Sequence, residues 1–166
     1  MKIPSIVKKP KIDLYKKIRT LKKIKKMKIM DLDEDSKVVS VDQIGLGPLG
    51  DGIVILKSDD DLKFPISSFS ADTAKSISDF KTGNRNEMPS VYNMIENICE
   101  NSGLILVKVR IYENGKALRA NLYFSGKKDL VLRNHRASDA IALATFYSIP
   151  ILIKKDLLKQ SPKIDF

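Results

Sequence analysis

Arg136-Ala137-Ser138-Asp139-Ala140-Ile141-Ala142-Leu143-Ala144 sets a charged, hydroxylated head on a run of small and aliphatic residues. From Ala140 to Tyr147 the stretch is apolar on every side, which is the pattern of a helix buried all round rather than laid on a surface. Ser138 is placed to cap that helix, its hydroxyl accepting from a free N–H of the first turn. Asp139 then follows as the first helical residue, against the positive end of the helix dipole. Residues 130–134 before the helix and 149–153 after it read as strands. A buried helix whose mouth carries Arg, Ser and Asp is either a well-capped structural element or a site.

Working outward, residues 37–46 alternate valines in the manner of a strand and end in the glycine-rich stretch 45–52. Pro48 interrupts those glycines and no lysine or helix follows, so they suit a long turn better than a phosphate loop. Residues 53–57 and 62–66 form a hairpin around Ser58-Asp59-Asp60-Asp61, whose acids fit a solvated turn better than a cation site. A helix spans 70–81. A second opens after Pro89-Ser90, with Val91, Met94, Ile95 and Ile98 on one face, and stops at Gly103. Strands 104–112 and 117–124 flank Asn114-Gly115, a strong hairpin signal, and a short turn or helix starts at Asp156. The order predicts an α+β fold with a mostly antiparallel or mixed sheet and a few helices, preceded by a basic N-terminal extension.

The charge is uneven. Residues 1–30 hold twelve Lys/Arg and one acid, while the other 136 residues hold 18 basic and 19 acidic groups. The high pI therefore describes an arm and not the domain. Residues 1–36 read as a flexible or weakly helical arm with an acidic linker, and 37–160 as the folded domain. Leu14, Ile18 and Leu21 keep helical spacing, but Ile24 and Met27 continue in threes, so lysines occupy every side. Lys16, Lys17, Arg19, Lys22, Lys23, Lys25 and Lys26 are the arm's candidate phosphate contacts. A solubilising tail, or an arm for a membrane or acidic protein surface, are the competing readings. The acidic stretch 31–36 imitates the start of a calcium loop but lacks its glycine and its exiting helix, and a linker is the better reading. A second basic feature lies in the Asn114-Gly115 hairpin. With those two residues as the loop, Arg110 falls opposite Arg119, on a face with Lys108, Asn121 and Tyr123. Val109, Ile111, Ala120, Leu122 and Phe124 take the core side. A phosphate-bearing partner suits that basic face; neutralisation by Glu113, or by an acid outside the hairpin, is the alternative.

One cysteine, Cys99, excludes a disulfide framework and multi-thiolate metal sites. It lies in a helical pattern and reads as a packed thiol. No apolar run approaches the ~20 residues of a membrane helix, and no secretory signal opens the chain. A cytoplasmic protein with no membrane partner is expected.

The strand, the R-x-S-D-A-I-A-L-A helix and the P-I strand that follows resemble the end of the bifunctional nuclease family's domain, and weaker similarity of pattern reaches back to Val38. The resemblance implies a compact α+β unit acting on RNA or DNA, with Arg136, Ser138, Asp139 and Asp72 as the candidate catalytic set. Asp72 stands where the family writes Glu, seven residues after Pro65. A divalent cation, magnesium or manganese, is the implied cofactor, with Asp139 and Asp72 as its candidate ligands if the fold brings them together. The family's D-x-R-P-S-D-A appears here as Asn134-His135-Arg136-Ala137-Ser138-Asp139-Ala140. Its R-P-x-T-H-D appears as Met88-Pro89-Ser90-Val91-Tyr92-Asn93, without the His and Asp. His135, the chain's one histidine, is an alternative base or a solvent-facing residue. Two functions follow. One is metal-dependent phosphodiester hydrolysis, slowed by these substitutions. The other is a non-catalytic nucleic-acid-binding or oligomeric scaffold protein, a homodimer in its simplest form.

Overall fold

The computed structural model describes residues 34–85 and 89–160. The arm residues Lys16, Lys17, Arg19, Lys22, Lys23, Lys25 and Lys26 lie outside them, as does the first half of the acidic linker, 31–33. Among the described residues seven strands form one sheet: β1 Ser36–Leu46, β2 Gly52–Ser58, β3 Lys63–Phe69, β4 Ile105–Asn114, β5 Ala117–Ser125, β6 Leu130–Arg136 and β7 Ile151–Lys154. The helices among the described residues are α1 Ala71–Lys81, α2 Val91–Ser102, α3 Ala137–Tyr147 and α4 Lys155–Gln160. The fold is therefore α+β, as expected, and every element falls within one unit spanning Asp35–Phe166.

The sheet order is β3-β2-β1-β7-β4-β5-β6. Two meanders, β1–β3 and β4–β6, are joined by β7, which pairs antiparallel with β1 and parallel with β4. All other pairings are antiparallel. The chain leaves the edge strand β6, crosses as α3, and returns to the sheet centre as β7. Ile151, Leu152 and Ile153 are consequently all buried, as a central strand covered on both faces requires.

α3 is apolar at every angle and is buried at Ala137, Ser138, Ala140, Ile141, Ala142, Leu143, Ala144 and Phe146. Its alanines let the helix approach the sheet closely. α1 packs on it through the buried Ala74 and Ile77, capped by Ser70, whose hydroxyl accepts the Thr73 N–H at 3.2 Å. The acidic turn between β2 and β3 is neutralised by lysines: Lys37 pairs with Asp60, and Lys57 with Asp61 at 2.7 Å. The Lys37 hydrogen bond holds Asp60 below the usual carboxylate range, and the Lys57 bond does the same for Asp61.

Three local expectations are corrected. First, the β4–β5 loop is Gly115-Lys116, with Asn114 paired to Ala117. Gly115 has φ +64 while Asn114 keeps a negative φ, which fits a turn with glycine at its first central position. The register slips accordingly: Arg110 lies opposite Asn121, and Arg119 opposite Tyr112. Second, α3 begins at Ala137 with Arg136 as its N-cap. The β5–β6 ladder holds the chain extended up to the Arg119–Arg136 pair, so Ser138 lies inside the first turn rather than capping it, and Asp139 is the third helical residue. Third, α2 turns Tyr92, Ile95 and Cys99 inward, leaving Val91, Met94 and Ile98 54%, 60% and 62% exposed.

Candidate active site and nucleic-acid face

Tyr92 is the hub of the helical side. Its ring meets Phe80 edge-on at 5.0 Å and stacks near Phe146 at 6.2 Å. Phe146 in turn carries Arg85, whose guanidinium carbon lies 5.4 Å from the ring centroid and whose Nη2 donates to Ser148 Oγ at 2.8 Å. This cluster fixes the rotation of α2 and aims the Tyr92 phenol at α1 and the head of α3. Burial pushes the phenol's pKa up, and the nearby Asp139 carboxylate adds to the shift; hydrogen bonding to Ser76 and Thr73 works the other way. The phenol therefore stays protonated near neutral pH, where it can donate a hydrogen bond but cannot act as a base.

Tyr92 thus meets Thr73 and Ser76 on α1, with the Asp139 carboxylate near enough to be felt electrostatically. Asp139 is exposed, in the first turn of α3, where the helix dipole favours its negative charge. Ser76 also donates to the Asp72 carbonyl at 2.9 Å, which makes Asp72 a backbone support for this group. The Asp72 side chain is exposed in the first turn of α1. Ser138 is buried at 6% exposure. Asn93, where the family writes Asp, is occupied as a cap: its Oδ1 accepts the Ser90 N–H at 3.0 Å. His135 is exposed on β6, opposite Ala120. Cys99 is buried, and burial pushes its thiol up, as for an unreactive packed cysteine.

Arg136 is placed differently. Its ladder partner is Arg119, and directly paired residues share a face of the sheet. Arg119 alternates with Ala120, Leu122 and Phe124, which join the helix-covered core. Arg136 and Arg119 therefore stand on the other face, away from the helices. Arg110 and Lys108 are on that face too, and both have partners. Arg110 Nη2 contacts both Asp35 carboxylate oxygens, at 2.9 and 2.7 Å, and its Nε donates to Ser36 Oγ at 3.0 Å. Asp35 is the acid outside the hairpin that the alternative reading of this face required. The Lys108 ammonium lies 4.8 Å from the centroid of the Tyr123 ring, its cross-strand partner.

Among the described residues no three His, Cys, Asp or Glu side chains converge as a ready metal cage. The oxygen donors nearest the head of α3 are one carboxylate, Asp139, and, within its electrostatic reach, the phenol of Tyr92, itself bonded to Thr73 and Ser76 on α1. That set suits a hard cation held mostly by water and substrate phosphates, as magnesium often is. Sequence reading missed Thr73 and Ser76, although Ser70, Thr73 and Ser76 repeat every three residues along one side of α1.

Among the described residues no helix is long and apolar enough to cross a membrane. No curated protein matches the chain. The family model for the bifunctional nuclease domain matches residues 54–164, from β2 to beyond α4. With two thirds of its length so matched, and with the Arg136-to-Ala144 motif folded as the buried helix between β6 and β7, this chain belongs to the bifunctional nuclease domain family.

Proposed function

We propose that this domain is a slow, metal-dependent phosphodiester hydrolase acting on RNA or DNA, with its reaction centre at Tyr92 and Asp139. That pairing carries the reading: a phenol held by α1 lies within electrostatic reach of the exposed carboxylate at the head of α3, and it stands at the position where the resembling family motif has histidine. Asp139 is the residue to hold a divalent cation, which, when bound, polarises a phosphoryl oxygen and acidifies water. Tyr92 donates its phenolic hydrogen to a phosphate oxygen, and Thr73 and Ser76 keep the phenol in place. Asp72 sets Ser76 through its carbonyl. Ser138 is buried beneath the centre and supports the α3 head. The chain supplies no imidazole base here, and positioned acid–base help is worth about 10²–10⁴-fold in rate. Slow turnover follows.

The test uses end-labelled single-stranded RNA and DNA with magnesium or manganese, and the same reactions with chelator. Slow cleavage is expected, lost with chelator and lost in Asp139→Asn. Cleavage that survives either treatment, or no cleavage at all, overturns the hydrolase reading. Complete absence of cleavage with retained binding would establish the second reading, a nucleic-acid-binding protein without turnover. The arginine pair favours that second reading, because it stands on the sheet face opposite the helix-covered core.

A further inference from the structure

Resting on the reading that this domain handles nucleic acid, we infer that Arg119 and Arg136 form a clamp for a backbone phosphate of the bound strand, on the sheet face away from α3. The two are direct partners across β5 and β6, so their Cβ atoms lie about 4.5–5.5 Å apart and their guanidinium groups share one face. Like charges so opposed destabilise a ladder. Four other strand cations are matched with acids: Lys37 with Asp60, Lys57 with Asp61, Lys63 with Asp42 and Arg110 with Asp35. Arg119 and Arg136 have no such partner among the described residues. Arg136 is exposed and Arg119 partly so.

The row extends inward. Tyr112 is the β4 partner of Arg119, and Lys154 stands beside Tyr112, one step past the Ile111–Ile153 pair. Four neighbouring strands, each about 4.7–4.9 Å from the next, thus present Lys154, Tyr112, Arg119 and Arg136 in line. A guanidinium offers planar, forked donors that match phosphate oxygens, and two of them on one phosphate turn a repulsion into a bridge. Tyr112 adds a ring on which a base can stack. The clamp accounts for an arrangement that is unfavourable without an anion.

The experiment is anisotropy of a labelled single-stranded oligonucleotide titrated with the full chain, in chelator so that nothing is cut, across a salt series. Arg119→Gln and Arg136→Gln should each weaken binding about tenfold, the value of a charge-assisted contact. The double variant should lose little more than either single one. The slope of log K against log salt should flatten by about 0.7 in the double variant. Neither single variant should melt below the parent, since a repulsion is removed, and Lys127→Gln, in the exposed β5–β6 loop, should bind as the parent does. Unchanged affinity in both arginine variants, additive losses in the double variant, or no binding by the parent chain would overturn the clamp. Failure of cleavage in magnesium or manganese, with the arginine losses intact, would sink the hydrolase reading and leave the clamp standing.

Discussion

α2 and α3 have nearly equal length and both carry aliphatic side chains at helical spacing, yet they bury opposite shares of themselves. α3 is enclosed along almost its whole length, whereas Cys99 is the single fully buried residue of α2. The difference lies in what each helix offers its neighbours. α3 presents alanines along its length and its two rings, Phe146 and Tyr147, only at its end, so strands and α1 can close on it from several sides. α2 is held by Tyr92, whose ring joins Phe80 and Phe146. That anchor overrides the stripe of Val91, Met94 and Ile98 and rotates it to solvent. An apolar stripe states what a helix can bury, and the largest ring decides what it does bury.

The largest expected effect tests the enclosed helix. Ile141 is fully buried, so Ile141→Ala should destabilise the domain by about 2–5 kcal/mol, the cost of lost transfer energy plus a cavity. Urea unfolding followed by circular dichroism measures it. A loss below about 1 kcal/mol would mean that the α3 core is looser than its alanine packing implies.

Next comes the anchor of α2 as chemistry. Tyr92→His places an imidazole beside Asp139, where the phenol cannot act as a base. If the hydrolase reading holds, cleavage in manganese should rise about 10²-fold, the lower end of what acid–base help contributes. A rate equal to that of the parent would show that residue 92 serves packing alone.

A smaller effect separates the ring of Tyr92 from its hydroxyl. Tyr92→Phe keeps the stacking and loses the bonding to Thr73 and Ser76, for about 0.5–1.5 kcal/mol at neutral pH. Alkali adds a second signature. Burial raises the pKa of Tyr92, and of Tyr147, above the ordinary tyrosine value. A group raised on folding contributes stability that is fully present below its unfolded pKa, about 10, and is lost as pH rises through the folded value. The parent should therefore lose stability above about pH 10, and Tyr92→Phe should lose less of it over the same range. Parallel alkaline profiles for the two proteins would break the link between burial and this phenol.

Much of this was legible in the sequence because the deciding forces were local. Residues 140–147 are apolar at every angle, and a helix of that composition has nowhere to be except inside. The acids at 59–61 stand beside lysines that could reach them. What was not legible depended on pairings distant in sequence. β7 enters the sheet between β1 and β4, and nothing in residues 151–154 names those neighbours. The β4–β5 register turned on whether glycine takes the first or second central place of its turn, and both placements satisfy an Asn-Gly-Lys sequence. That single step moved Arg119 from Arg110 to Tyr112 on β4. Its like-charged partner is instead Arg136 on β6, an edge strand whose ladder the sequence did not reveal. The same ladder keeps residue 136 extended, which is why Ser138 is not the cap. At the candidate site, Asp139 was readable from its motif. Thr73 and Ser76 emerged only once Tyr92 was seen reaching α1.

The smallest effect bears on the exposed side of the comparison. Ile98 is 62% exposed, so its truncation removes little buried area and leaves no cavity. Alanine also has the better helix propensity, by a few tenths of a kcal/mol. Ile98→Ala should therefore change stability by no more than about 0.5 kcal/mol in either direction, against the several expected for Ile141→Ala. The pair of variants differs in the same chemical step, isoleucine to alanine in a helix, and isolates burial as the variable. A loss above about 2 kcal/mol at Ile98 would mean that the Val91–Met94–Ile98 face is covered in solution. If a second copy covers it, the loss should grow with protein concentration, because association stabilises only the assembled form. If the face is open, the small change should be the same at every concentration, and the exposed stripe of α2 is solvent-facing in the working protein.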